Sequence, residues 1–228
     1  MKVYRGFALI ALFSLLPLLS LVANSGTLGI IEYLEGSVSL LRNGEALDAD
    51  MGDSLRNQDL IRTGNDGFVV IKLDPASGMS GTLTVRPKTS CALSTVIERG
   101  SPATEAQTFA GSVAVKVKRI SGDPSLRIRT GSAVMGVRGT EFQVQVSPNS
   151  GILVSCNEGR VECQAEVNGR LDSVDAIPGQ AVEYREGERF KRIPVAVSSL
   201  EAFRERWGTE EIEAFKASAL TVLDQYAR

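Results

Sequence analysis

Between residue 26 and about residue 192 the chain sustains no helical period. Glycine cuts it into short runs in which apolar and polar side chains alternate. The runs are V-S-L-L-R at 38–42, F-V-V-I-K-L at 68–73, L-T-V at 83–85, V-A-V-K-V at 113–117, L-R-I at 126–128, F-Q-V-Q-V at 142–146, I-L-V-S-C at 152–156, V-E-C at 161–163 and V-E-Y at 182–184. A period of two bounded by turn residues puts one face of each run toward a core, which is the pattern of strands. The chain is therefore restricted to an all-β domain of short strands. S-P-A-T-E-A-Q-T at 101–108 lacks this pattern and reads as a surface loop, and G-N-D-G at 64–67 reads as a hairpin turn.

The punctuation also repeats. Gly36-Ser37-Val38, Gly111-Ser112-Val113 and Gly159-Arg160-Val161 each open a strand with G-x-V, and each is followed by a second glycine turn: T-G at 63–64, T-G at 130–131 and P-G at 178–179. Such self-similarity suits a coiled, β-solenoid-like stack of short strands. This coiled reading is preferred, and a sandwich whose turns share chemistry is the alternative.

The two ends differ from this middle. M-K-V-Y-R leads into an apolar run from Gly6 to Ala23, followed by small residues, which is the form of a secretory signal peptide cut after Ser25. Retained, the same run would be an anchor helix. Either way, the rest is expected outside the cytoplasm, in the periplasm or on the outer side of the inner membrane. From Ser198 a capping box with Glu201 opens a helical texture. Ile212, Phe215, Ala219, Val222, Leu223 and Tyr226 then fall at helical spacing. The expected organisation is a leader at 1–25, a β domain at 26–192 and a C-terminal amphipathic helical tail at 193–228. The tail's apolar stripe packs on the β domain, grips a partner or pairs with a second copy.

Composition excludes several functions. The chain has no histidine, which removes Ser-His-Asp and Cys-His catalysis and the common histidine-bearing metal sites. Loss of Lys2 and Arg5 with the leader brings the net charge from −2 to about −4, so nothing attracts nucleic acid. Asp48, Asp50 and Asp53 miss the calcium-loop spacing. No pair of acids is singled out, so neither a catalytic site nor a cofactor is expected. Cys91, Cys156 and Cys163 are odd in number. A hairpin turning at Glu158-Gly159 would set Cys156 and Cys163 diagonally, about 7–8 Å apart at Cβ, beyond disulfide reach. They read as small core residues in adjacent strands, with Cys91 able to reach one of them.

Two sets of residues stand out. In M-G-V-R-G-T-E-F-Q-V-Q-V, from Met135, two glycines flank an arginine at the mouth of a strand. Gly136 and Gly139 would allow a bend or a positive φ. Arg138 would spread its donors over carbonyls or a carboxylate, or over a partner's anion. Thr140 would restart pairing. Separately, Lys116 and Lys118 share one strand face, as do Arg127 and Arg129. Each pair is either a solvated face or, if neighbouring turns stack them, part of a basic strip for phosphate or carboxylate groups.

Residues 34–186 resemble the FecR domain family. The resemblance rests on E-G-S-V-S-L-L-R-N-G, then on L-D-A-D-M-G-D-S-L-R-N-Q-D-L-I-R-T-G-N-D-G-F-V-V-I-K-L, then on A-G-S-V-A-V, R-I-R-T-G-S-A-V-M-G-V-R-G-T-E-F-Q-V, E-G-R-V-E-C and I-P-G-Q-A-V-E-Y in order. G-V-R-G-T-E-F is the most distinctive. The best-known members of that family sense an occupied siderophore transporter and regulate a sigma factor across the inner membrane. Only five residues precede the apolar run here, too few for a sigma-binding segment, and the tail is helical where the family has an α/β receiver. The expectation is a non-enzymatic envelope protein whose β domain binds a protein partner as a scaffold or signal relay. A peptidoglycan- or polysaccharide-binding module is the alternative, and self-association through the tail is a further expectation.

Overall fold

The computed structural model describes residues 26–74, 79–98, 100–119, 126–137, 139–147 and 151–194. The leader, Arg138 and the tail expected to be helical, with Ile212, Phe215, Ala219, Val222, Leu223 and Tyr226, lie outside the described residues. Within them every regular element is a strand, and the seventeen strands join one hydrogen-bonded network.

The pairings resolve that network into two ladders that share one strand. The first runs β4 (Ser54–Leu55), β1 (Gly29–Glu35), β6 (Phe68–Leu73), β7 (Met79–Val85), β9 (Ser101–Arg119), β12 (Glu141–Val146), β13 (Ile152–Glu158), β16 (Gln180–Tyr184), β17 (Lys191–Pro194). The second runs β3 (Glu45–Asp48), β2 (Val38–Arg42), β5 (Asp59–Thr63), β8 (Ser90–Glu98), β9, β10 (Leu126–Arg129), β11 (Val134–Val137), β14 (Val161–Val167), β15 (Arg170–Ala176). All pairs are antiparallel except β9 with β10. Alternate side chains of both ladders meet in one core: Ile31, Ile71, Leu83, Val115, Phe142 and Val154 from the first, Leu40, Ile61, Leu93, Ile128, Met135 and Cys163 from the second. The ladders thus face each other across a shared apolar interior, and the chain passes back and forth between them. Parallel coil-on-coil pairing, the mark of a solenoid, is confined to the single β9–β10 contact.

The sheet stays open, and its ends are blunted. At one end β4 has two residues, and Glu45 and Asp48 are exposed on β3; at the other, β15 exposes Arg170 and β17 closes on Pro194. Short, charged or proline-bearing edges resist pairing with other chains.

The repeated G-x-V steps are places where the chain changes ladder. Gly36 leads from β1 to β2, Gly111 bends β9 from the second ladder into the first, and Gly159 leads from β13 to β14; all three have φ near +70 to +90° (67, 88 and 81°). Each nests against a second crossing. A Cβ on Gly36 would run into Asp66 of the β5–β6 connection, one on Gly111 into Lys88 and Thr89 of the β7–β8 connection, and one on Gly159 into Gly139 and Thr140. Threonines lock the middle pair. Thr89 Oγ1 accepts from Ser112 N at 2.9 Å, and Thr63 Oγ1 accepts from Thr89 N at 2.9 Å and donates to Arg86 O at 2.6 Å.

Three expectations change here. Residues 101–108 are not a loop: they form the first half of β9, with Ala103, Thr104, Glu105, Ala106 and Thr108 buried. G-N-D-G at 64–67 carries the chain from β5 to β6, so it is a crossing and not a hairpin. Likewise β13 and β14 do not pair, since β13 lies between β12 and β16 while β14 lies between β11 and β15. Cys156 and Cys163 therefore enter the core from opposite ladders, and all three cysteines are buried free thiols.

Candidate functional site: the Gly139–Gly159 corner

Gly136 sits inside β11 opposite Glu162, in ordinary extended backbone with room for a side chain. It is Gly139 that takes the positive φ, 62°, as the chain passes from β11 to β12. Thr140 follows, almost fully buried, and its carbonyl accepts from Val117 N at 3.0 Å, which begins the β9–β12 pairing. Its Oγ1 has no hydrogen-bond partner among the described residues. Gly159 packs on this turn from the neighbouring crossing, so two connections form one compact corner.

A charged rim surrounds the corner. Glu141, the first residue of β12, lies between Lys116 of β9 and Glu158 of β13. Lys116 Nζ reaches Glu141 Oε2 at 2.8 Å, and Asn157 Nδ2 donates to Glu141 Oε1 at 3.5 Å. The Lys116 hydrogen bond holds the Glu141 carboxyl below its ordinary value, with help from Asn157. The same bond raises the Lys116 ammonium, with the charges of Glu141 and Glu158 adding to it. Arg160 meets Asp175 of β15 at 3.3 Å on the other side of the crossing. These groups are largely exposed, so their pairs add little stability, and what they offer is an alternating pattern of charge on a rigid support.

The four basic residues do not gather. Lys116 and Lys118 point outward from the first ladder, while Arg127 and Arg129 point outward from the second, across the core. Lys116 is engaged with Glu141, and Arg129 Nε reaches the buried Glu105 Oε1 at 2.9 Å.

Sequence reasoning missed a second charged pair. Arg42 of β2 forks onto Asp59 of β5, with Nε to Oδ1 at 2.9 Å and Nη2 to Oδ2 at 2.6 Å. Arg42 Nη2 also donates to Ser54 O at 2.7 Å, and Asp59 Oδ2 accepts from Arg56 N at 2.7 Å. The Asp59 side chain is 2% exposed. The signal was present: an acid opening the apolar run D-L-I must find a cation once that run is buried. Asp50 and Asp53 behave as turn residues, Asp50 N donating to Asp53 Oδ2 and Met51 N to Asp50 Oδ1, both at 2.8 Å.

A depression of about 200 Å³ near the start of β1 is lined by Leu28, Asp74, Thr95 and Pro102, with a single carboxylate. Among the described residues no cluster of His, Cys, Asp or Glu is arranged to hold a metal ion, and no helix is long and apolar enough to cross a membrane.

Residues 59–162, from the buried Asp59 to the strand beyond Gly159, match the family model described as FecR protein. No curated protein matches the chain in sequence. Two crystal structures of a candidate anti-sigma factor from Parabacteroides distasonis ATCC 8503 are similar in part. Both are 16% identical with the match covering 59% of each chain, at TM-scores of 0.47 and 0.46.

Proposed function

With residues 59–162 a FecR domain, we propose that the chain is a non-enzymatic envelope protein that binds another protein through the rim of the Gly139–Gly159 corner. It would act outside the cytoplasm as a scaffold or signal relay. The observation that carries this reading is the rim itself: Lys116, Glu141, Asn157, Arg160 and Asp175 project from a corner whose backbone is fixed by nested crossings. Charges arranged this way steer and orient a partner more than they stabilise the fold that bears them. A rigid support lets them do so without an ordering cost on binding.

The test is capture from envelope extracts by the full chain, with Lys116→Glu/Glu141→Lys and Arg160→Glu as the variants. A single protein retained by the native chain and lost by both variants, at unchanged melting temperatures, supports the rim as the contact. Equal capture by all three chains removes it. Sedimentation with purified sacculi, weakened by Lys116 or Arg127 substitution, would instead favour the glycan reading.

A further inference from the structure

Strands with one face on a core and one in water alternate in burial, and most strands of the first ladder do so. Its C-terminal third does not. Ile152, Val154, Val182 and Tyr184 point into the shared core, yet Leu153, Ser155 and Ala181, on the opposite face, are also buried. Leu153, Ala181 and Ile193 form a separate apolar cluster on that outward face. The register lines these positions up in two rows across β9, β12, β13, β16 and β17. One row is Ala114, Gln143, Ser155, Ala181, Ile193; the other is Ser112, Gln145, Leu153, Glu183, Lys191. Gln145 is 2% exposed with neither amide atom hydrogen-bonded, and Ser112 Oγ likewise has no partner among the described residues. A buried amide on the nominal solvent face of a sheet, with no partner among the described residues, calls for an explanation, and a layer lying over the face supplies one.

We infer that the layer is the chain's own C-terminal segment, residues 195–228, laid across the outward face of β9–β12–β13–β16–β17. Three features identify the occupant. The segment continues directly from β17, the strand that borders the face and contributes Ile193 to the cluster. Its apolar positions from Ile212 to Tyr226 extend about 21 Å as a helix, and four strand spacings from β9 to β17 come to about 19 Å. The leader enters beside β1, six strands from β16, or about 29 Å along the ladder. The tail thereby closes this face to other proteins and leaves the charged corner open.

The experiment places the photoreactive residue benzoylphenylalanine at position 215 of the full chain. The labelled chain is mixed with isotopically heavy chain, and the adducts are mapped by mass spectrometry. Adducts within the same chain, on peptides covering residues 143–155 or 181–193, support the inference. Adducts between light and heavy chains would make the occupant a second copy. Adducts on the outward face of the second ladder, where Leu60 and Ala92 are also buried, would place the tail elsewhere. Absence of any adduct, or the same face labelled by a probe at Leu16 of the leader, would also overturn it. Phe215→Glu supplies a second readout. The core face needs nothing from the tail, so the chain stays folded while amides of 181–184 and 191–193 exchange about 10-fold faster or more; unchanged exchange counts against the inference.

Discussion

Gly159 rests directly on Gly139: a β-carbon built on Gly159 would lie 2.7 Å from the Gly139 carbonyl oxygen and 2.7 Å from the Thr140 methyl. Gly159→Ala therefore combines a left-handed backbone, φ 81°, with a collision against backbone. Gly169 is the control, with φ 73° and open space around it. Gly169→Ala should lose about 1–2 kcal/mol for the backbone alone, and Gly159→Ala about 2–4 kcal/mol. Urea unfolding of both variants checks this. Equal losses would mean that the corner is not closely nested.

Asp59 and Arg42 test a different kind of support. Arg42→Ala leaves a carboxylate sealed in the interior, whereas Asp59→Ala leaves a guanidinium that is 21% exposed and can still reach water. Arg42→Ala should therefore cost more, about 3–5 kcal/mol as for other broken buried pairs. The double variant should lose less than Arg42→Ala alone, because no buried charge remains unpaired. A double-mutant cycle in urea measures the coupling, and additive losses would show the pair to be unlinked.

Thr89 joins the Gly111 bend to the neighbouring crossing. Its Oγ1 accepts from Ser112 N at 2.9 Å and lies 3.2 Å from the carbonyl oxygens of Pro87 and Ser112. Thr89→Val keeps the shape, removes the acceptor and strands a buried N–H. A loss of about 1–3 kcal/mol is expected, with faster amide exchange at Ser112 than in the native chain. An unchanged unfolding midpoint would show that the hydroxyl contributes nothing to the bend.

The all-β class and nine strand-forming runs were legible because short apolar runs bounded by turn residues recur, most of them alternating with polar side chains. The first half of β9 was not, because its core-facing side is built from Ala106 with Thr104 and Thr108, whose hydrophobic signal is weak. The Gly159 step was misread as a hairpin for another reason. N-E-G-R can close a two-residue turn or carry the chain to the facing ladder, and the choice depends on β13 meeting β16 and β14 meeting β11, partners distant in sequence. The clean alternation of F-Q-V-Q-V at 142–146 carries no sign that Gln145 is buried. The sign of a second covered face lay next door, where I-L-V-S-C at 152–156 runs without alternation, as in strands buried on both sides.

The buried thiols give the fold a pH dependence of definite sign. Burial pushes Cys91 up to about 12 despite the bond from Thr108, and pushes Cys163 up to about 12 with the negative charge of Asp175 adding to it. In the unfolded chain both ionise near 9, so between about pH 9 and 12 the unfolded state loses protons that the folded state keeps. Their stabilising contribution is intact below pH 9 and is lost as pH rises through that window. Urea midpoints should therefore fall between pH 8.5 and pH 10.5, and the fall should be shallower in Cys163→Ala, whatever that variant loses in packing. Below pH 8 neither thiol should react with a thiol-specific disulfide reagent until denaturant is added. Rapid labelling of the folded chain, or an identical slope in Cys163→Ala, would mean that these sulfurs are not sealed in the core.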